Sequence, residues 1–291
     1  MKIGVFGRND QTDKLKLIQN LFGKLNERGA EVFVQKNFYT FLTDVLKYHP
    51  SIAGVIEGEL TGLDIALSVG GDGTFLRTVA QLNQHPVPIL GINTGRLGFL
   101  ADIGSEQLEE TLDELFLHNY RIEERMMLQL HSHKHLFQGY NYALNEVAIL
   151  RRDTSSMITI HTFLNDQYLT SYQADGLIIA TPTGSTAYSL SLNGPIIHPE
   201  SDNIVLSPVA PHSLNVRPLV VPGSYTITLQ VENRTPTFLV ALDSRSEVLT
   251  TETQLKVSKA GFKTSVVHRL DHTFYQTLHD KLMWGVDKRV K

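Results

Sequence analysis

Four groups of residues in this 291-residue chain have the types and spacing needed to handle a phosphorylated ligand. The sharpest is Gly70-Gly71-Asp72-Gly73-Thr74, set between an apolar strand pattern and a helical one. Glycines let a ligand approach the main chain closely. The helix that follows offers free N–H groups and the positive end of its dipole to an anion. Asp72 then stands beside a phosphate-binding turn, where it could accept a proton or position a hydroxyl. The same residues also describe a plain strand-to-helix turn in which Asp72 caps the helix.

A second loop, at residues 91–100, follows the next strand with Gly91, Asn93, Gly95 and Gly98, and Arg96 is its candidate anion partner. Gly70, Gly71, Gly73, Thr74 and Asn93 make up the expected phosphate loop. Asn145-Glu146 places an amide and a carboxylate inside an apolar stretch, where both need partners, and a ribose diol would supply them. A strand-end hydrogen bond is the plainer explanation. The fourth group spans residues 175–191: an apolar strand ends in a hydroxyl-rich turn, with six Ser or Thr in the eleven positions from 181 to 191. Such a turn can hold phosphate or ribose through hydroxyls and backbone N–H groups, and Tyr188 offers a face for a base.

Other chemistries lose ground. No Walker-type Gly-x-x-x-x-Gly-Lys-Ser/Thr and no Gly-x-Gly-x-x-Gly occurs, so a P-loop NTPase and an ordinary dinucleotide oxidoreductase are disfavoured. The chain has no cysteine, which removes disulfides, thiolate nucleophiles and Cys-based zinc sites. His131, His133 and His135 would share a strand face, but they fall where a polar hairpin tip is expected. No residue is assigned as a metal ligand.

The elements that must position these groups divide the chain. Residues 2–6, 31–36, 64–69 and 87–92 read as strands. Between them, Leu15, Ile18, Leu21, Phe22 and Leu25 make one helix face that Gly29 stops, residues 38–48 a second helix, and Phe75, Leu76, Val79 and Leu82 a third. Strand and crossover helix in alternation imply a parallel sheet covered on both faces. Past residue 121 the period changes to two: Met126, Leu128 and Leu130 alternate, as do residues 158–164, and Asn165-Asp166-Gln167 is a turn signal. Phe274, Leu278 and Leu282, extended by Tyr275 and Met283, form a last helix stripe ended by Gly285. The expected architecture is an α/β domain with a parallel sheet (residues 1–121), a mostly-β, sandwich-like domain (122–260), and a C-terminal segment (261–291) whose helix returns to the first domain.

Composition agrees with a globular protein of about two domains. Lys plus Arg number 26 against 30 Asp plus Glu, a net charge of −4, so a dedicated nucleic-acid surface is not expected. No apolar run approaches the roughly 20 residues that cross a bilayer, and the N-terminus does not read as a signal peptide. A cytoplasmic protein with neither nucleic-acid nor membrane partners is expected.

Taken together and in this order, the motifs resemble the NAD kinase family. The matching pieces are GGDGT at 70–74, GINTGRLGFL at 91–100, NE at 145–146, DGLIIATPTGSTAYSLS at 175–191, and a Pro-His segment with Arg217-Pro218. GGDG alone is shared with phosphofructokinases and lipid kinases; joined to NE and TPTGSTAYS it is specific. The resemblance implies transfer of the γ-phosphoryl of ATP to the 2′-hydroxyl of the adenosine ribose of NAD, with a divalent ion, Mg²⁺, entering with the nucleotide. It makes Asp72 the general base or positioner. The NAD-binding set it implies is Asp72, Gly73, Arg77, Asn145, Glu146, Gln173, Asp175, Thr183, Thr186, Ala187, Tyr188, Ser189, Leu190, Ser191 and Ala210. Within that set, Asn145 and Glu146 hold the nicotinamide-side ribose, Asp175 lies near the nicotinamide, residues 186–191 surround the adenosine, and Ala210 gives a backbone contact to a base. Gln173 leans towards NAD over NADH. The family's habit implies a homodimer or homotetramer whose subunits complete each other's sites. A lipid kinase of the diacylglycerol or sphingosine type and a non-catalytic NAD(P) sensor are the alternatives.

Overall fold

The computed structural model describes residues 1–58, 62–95, 98–152 and 156–285. The chain forms two compact units, one of Met1–Glu123 with Ser265–Lys291, the other of Glu124–Thr264.

In the first unit, β1 (Lys2–Gly7), α1 (Leu15–Glu27), β2 (Glu31–Gln35), α2 (Lys36–Thr40), β3 (Gly54–Ile56), β4 (Ile65–Gly70), α3 (Asp72–Leu82), β5 (Ile89–Asn93) and α4 (Leu108–Phe116) follow in order. The strands lie β5-β4-β1-β2-β3, and every pairing is parallel. Side chains alternate across a strand, so Ile3, Val5, Leu67, Val69, Leu90 and Ile92 share a core with Ile18, Leu21, Phe22 and Leu25 of α1 and Leu112 and Leu115 of α4. Ion pairs join these two helices, Lys24 to Glu109 at 2.7 Å and Arg28 to Asp113 at 2.6 Å. From the other face, Thr78 of α3 donates to Ser68 of β4 at 3.2 Å. Both faces are therefore covered, as the strand–helix alternation predicts. The expected helix over residues 38–48 is two pieces: α2, then a wider-wound turn at Phe41–Val45.

The second unit is built from most of β6 (Tyr120–His131), β7 (Tyr142–Ala143), β8 (Glu146–Arg151), β9 (Ile158–Leu164), β10 (Gln167–Ala174), β11 (Gly176–Ala180), the single-turn α5 (Tyr188–Ser191), β12 (Asn203–Val209), β13 (Leu219–Pro222), β14 (Ile227–Glu232), β15 (Thr237–Leu242), β16 (Arg245–Thr250) and most of β17 (Leu255–Arg269). One antiparallel sheet runs β13-β12-β11-β8-β15-β16, and a second set runs β10-β9-β14-β17. Inward residues such as Ile149, Ile179, Leu206 and Val240 meet Ile160, Leu229 and Val257 in one core, making the expected sandwich. β11 reads as a continuous apolar run because its other face is buried too: Ile178 and Ala180 pack with Leu192 and Ile197. Asn165 and Asp166 both have positive φ (47° and 65°), the type I′ geometry that closes a tight hairpin.

Chain and fold are interleaved at the end. Val266, late in β17, pairs in parallel with Ile89 of β5, and α6 (Phe274–Leu282) lies in the first unit. A capping box between Thr273 and Gln276 opens α6. The helix stops at Leu282, with Met283 left-handed at φ 50°, rather than at Gly285. Tyr275 and Met283 are exposed, so the buried stripe is narrower than the spacing suggests.

Candidate active site

β4 delivers the chain to Gly70 and Gly71, and α3 begins at Asp72 with Gly71 as its N-cap. The Asp72 carboxylate does not cap this helix. It accepts three consecutive backbone N–H groups from the second loop: Phe99 to Oδ2 at 2.9 Å, and Leu100 and Ala101 to Oδ1 at 3.0 Å each. A Cβ on Gly98 would overlap Asp72 Oδ1, so that position must be glycine for the loop to close down on the carboxylate. An ionised carboxylate offers about four acceptor positions; one, on Oδ2, stays open. Asn93 secures the loop's other side, donating to Ala101 O at 3.0 Å and accepting from Gly95 N at 2.7 Å. Asn93 thus shapes the loop with its side chain. Arg96 lies outside the described residues.

Behind this loop is a set of ionisable residues without a sequence motif. Asp102, 4% exposed, meets His272 Nε2 at 3.3 Å and His268 Nδ1 at 3.4 Å. His268 also faces Glu123 at 3.7 Å, and Glu123 is paired with Arg121 at 3.0 Å. Lys281, in the last turn of α6, lies in the field of both Asp72 and Asp102. Burial pulls its ammonium pKa down, and the two carboxylates oppose that pull.

Within α3, Thr74 is buried and accepts a hydrogen bond from Arg77 at 3.3 Å. Gly73 is exposed at the helix start, where first-turn N–H groups have no intrahelical acceptor. Arg77 points to a hollow of about 370 Å³ that it lines with Arg8, Asp10, Asn37 and Gln81.

The second unit repeats the device of a carboxylate holding three N–H groups. Asp243, left-handed at φ 51°, accepts from Leu144 (2.9 Å), Asn145 (2.8 Å) and Glu146 (3.1 Å). Thr181 adds two bonds to the same segment, its hydroxyl to Leu144 O at 2.6 Å and its N–H to Asn145 O at 2.9 Å. Fixed in this way, Asn145 Oδ1 and Glu146 Oε2 are buried with no hydrogen-bond partner. Burial, with the Asp243 charge adding to it, pushes the Glu146 carboxyl up to about 8. For Asp243, burial raises the pKa against the opposing pull of its three N–H donors and Arg245. The Arg245 guanidinium bonds the carbonyls of Tyr140 and Tyr142 and stacks 4.6 Å over the Tyr140 ring.

Much of the hydroxyl-rich turn serves the fold. Ser185 donates to Pro182 O and accepts from Ile197 N, and Ser189, fully buried, bonds Ser207 at 2.8 Å. The Thr183 hydroxyl accepts from Arg125 at 3.5 Å, and that of Thr186 donates to Thr183 O at 3.2 Å. The open positions are Tyr188 and Ser191, with Thr186, Ala187 and Leu190 half-buried.

The set expected to bind NAD does not gather at one place in this unit. β8 and β11 are antiparallel, with Glu146 opposite Ala180 and Leu150 opposite Gly176. Asn145, Glu146 and residues 183–191 therefore lie at the Ala180 end. At the Gly176 end, Asp175 pairs with Arg151 at 3.0 Å, its N–H bonds Val209 O, and Gln173 O accepts from His212 N beside Ala210. At a rise of about 3.3 Å per residue, about 13 Å of strand separates the two groups. Asp243, Lys281, Asp102 and His272 lie outside the sequence motifs, and each acquires its partners from residues distant in the chain. His131 ends β6, where its ring bonds Ser258 Oγ at 2.9 Å.

An anion-ready loop whose carboxylate keeps one acceptor site for a hydroxyl, carried by a chain that also holds a buried pair of unsatisfied acceptors, is the equipment of a kinase acting on a nucleotide. Known proteins agree. Residues 3–120 match the ATP-NAD kinase N-terminal domain, and residues 144–269 the ATP-NAD kinase C-terminal domain. The chain is 49% identical over 290 residues to an NAD kinase of Bacteroides fragilis, with 100% of both chains covered. It is 44% identical over 288 residues to one of Porphyromonas gingivalis, covering 99% of each. Among solved structures, yeast NADH kinase complexed with NADH has a TM-score of 0.87 at 22% identity, covering 100% of this chain and 90% of that one. An NAD kinase from Archaeoglobus fulgidus in complex with ATP has a TM-score of 0.77 at 25% identity, covering 97% and 99%. The chain belongs to the NAD kinase family. The lipid-kinase and sensor alternatives are set aside.

Proposed function

We propose that the protein transfers the γ-phosphoryl group of ATP to the 2′-hydroxyl of the adenosine ribose of NAD, yielding NADP and ADP. The observation that carries this reading is the pair of buried acceptors without partners, Asn145 Oδ1 and Glu146 Oε2. Leaving such atoms unsatisfied costs about 1–3 kcal/mol each, and a ribose diol brings the two donors that satisfy them. The open position on Asp72 Oδ2 holds the 2′-hydroxyl. As the hydroxyl oxygen bonds to the γ-phosphorus, the bond to the β-phosphate oxygen breaks and the hydroxyl proton passes to Asp72. Phosphoryl transfer depends chiefly on such positioning and on charge neutralisation.

Mg²⁺ in such reactions is held by one or two carboxylates with substrate phosphates and water. We infer that Mg²⁺ enters with the ATP, where it would neutralise charge developing on the phosphate oxygens. Gln173 supports NAD over NADH as acceptor. The division of the binding set between the two ends of β11 supports a homodimer or homotetramer in which the Asp175 end of one copy completes the site of another. Among the described residues no helix is long and apolar enough to cross a membrane. We place the protein in the cytoplasm, which supplies its ATP; cell fractionation checks this.

The test is NADP formation from NAD, ATP and Mg²⁺, read through a strictly NADP-dependent dehydrogenase. Turnover that EDTA abolishes and excess Mg²⁺ restores is expected. Absence of NADP with the intact protein at saturating substrates overturns the assignment.

A further inference from the structure

Asp72 is held by the N–H groups of residues 99–101, and the next residue, Asp102, turns its carboxylate to the C-terminal segment of the chain. We propose that His272 is a positioning residue for phosphoryl transfer: together with Lys281 it fixes Asp102, and through residues 99–101 it sets the orientation of the Asp72 carboxylate. This rests on the kinase reading given above.

The loop lies directly on β5. A Cβ on Gly91 would overlap Leu100 O and Ala101 Cα, so that glycine lets the two backbones touch. Ile103 bridges to Ile92, and its carbonyl accepts from Asn93 N at 2.8 Å. Leu100, Ala101, Asp102 and Ile103 are each no more than 4% exposed. Apolar packing of this kind is non-directional and does not by itself fix how the segment is turned about its own axis. Asp102 is the one polar side chain in residues 99–103. Where its carboxylate is held decides how the three neighbouring N–H groups face Asp72. A displacement of about 1 Å in a reacting group can cost about a hundredfold in rate.

The anchor comes from β17 and α6. Val266 pairs in parallel with Ile89, so the continued register sets His268 level with Gly91, under the loop. His268 spans two acids, with Nδ1 at 3.4 Å from Asp102 Oδ2 and Nε2 at 3.7 Å from Glu123. His272 is the better placed of the two imidazoles. Its Nε2 lies 3.3 Å from the same Asp102 oxygen and 2.9 Å from Thr277 Oγ1. The Thr277 hydroxyl donates to Thr273 O at 3.4 Å, which leaves it to accept from that nitrogen. The network thus assigns Nε2 as a donor shared between Thr277 and Asp102. Arg121 donates to His272 O at 3.2 Å and holds the residue's main chain. Lys281, one turn beyond Thr277 on the same face of α6, lies in the field of both Asp72 and Asp102. Its ammonium offsets the repulsion between two carboxylates that meet one short loop.

Removing the imidazole should slow transfer without weakening binding. His272→Leu should lower kcat about tenfold, with KM for NAD and for ATP each within twofold of wild type. His272→Gln, whose amide still donates towards Asp102, should recover at least half of the wild-type kcat. Rates are expressed per NAD-binding site counted by calorimetry, so unfolded chains do not enter the comparison. If kcat per site in His272→Leu stays within twofold of wild type, or if His272→Gln does no better than His272→Leu, the imidazole serves the fold alone and the proposal is overturned. A double variant tests the route. Gly98→Ala already draws the loop off Asp72, so adding His272→Leu should cost less than a further twofold; effects that multiply to about a hundredfold overturn the link through the loop. Lys281→Met, at a half-buried position, carries the test should His272→Leu fail to fold. Its kcat per site should fall about threefold and Lys281→Arg should restore it, and an unchanged kcat overturns the proposal. A wild-type chain that makes no NADP refutes the kinase reading. An active wild type with unimpaired variants refutes only the positioning role.

Discussion

Asp243 Oδ1 lies 2.8 Å from the backbone nitrogen of Asn145, a contact between residues 98 apart in sequence. Asp72 Oδ1 stands in the same relation to Leu100, at 3.0 Å and 28 residues away. Each acidic residue orders three successive peptide N–H groups, and so gives a loop the rigidity of a regular element. Hydrogen bonds to a charged group contribute about 1.5–3 kcal/mol each, enough to fix a short segment that lacks its own secondary structure.

Asp243→Asn replaces one accepting oxygen with a donor facing other donors. It is expected to lower stability by about 3 kcal/mol and to raise KM for NAD at least tenfold, with kcat at saturating NAD reduced less than threefold. Thermal unfolding and steady-state kinetics read the two effects. A loss confined to kcat would mean that Asp243 does not act by positioning the Asn145–Glu146 pair.

Burial and the neighbouring Asp243 charge push the Glu146 carboxyl from its ordinary 4.5 up to about 8. Between those values the native state keeps a proton that the unfolded chain has released, so stability falls as pH rises from about 4.5 to about 8. Above that range both states are ionised and the penalty is constant. Glu146→Gln should flatten this part of the curve in chemical denaturation run at several pH values. Because an ionised carboxylate accepts diol hydrogen bonds more strongly, NAD affinity in the wild type should increase as pH rises through about 8. Calorimetry with Glu146→Gln should show no such rise.

Gly98→Ala introduces a methyl group where Asp72 Oδ1 now lies. Withdrawal of the loop from the carboxylate should cut kcat at least tenfold, with little change in KM for NAD. Asp72→Asn should cost at least a hundredfold in kcat and also reduce thermal stability, because an amide cannot serve all three N–H groups. Full stability in that variant would contradict the clamp; near-normal turnover would contradict the proton acceptor.

If subunits complete each other's sites, Asp72→Asn and Asp175→Ala chains should complement. Each alone should be inactive. Chains mixed at random should recover about a quarter of wild-type activity, because half of two-fold dimers are mixed and each of these holds one intact site. No recovery from a mixture shown to contain mixed dimers would leave Asp175 outside the site.

The elements were legible where one physical rule dominates. The Ile18–Leu21–Phe22–Leu25 face, the apolar β4 and β11, and the Asn165–Asp166 turn follow from periodicity and turn chemistry alone. Asp72 stood out because glycine surrounds it. Its clamp on residues 99–101 did not, since a carboxylate beside a helix start reads equally well as a cap. Asp243 and Lys281 carry no local signal: their partners are distant in sequence, and only folding brings them together. The run from Thr181 to Ser191 promised more ligand contacts than it provides, because composition cannot separate a hydroxyl that binds a carbonyl from one left open.

The first unit is discontinuous, and this governs when it can form. Its sheet gains Val266 beside Ile89, and buried Asp102 gains His268 and His272, only from the final segment of the chain. A nascent polypeptide ending before residue 265 lacks the two imidazoles that face that carboxylate and the strand that pairs with Ile89. During translation the edge of the β5 strand and the Asp102 carboxylate therefore stay without these partners until the intervening sandwich has been synthesised. The first unit is completed only in chains that carry their last segment.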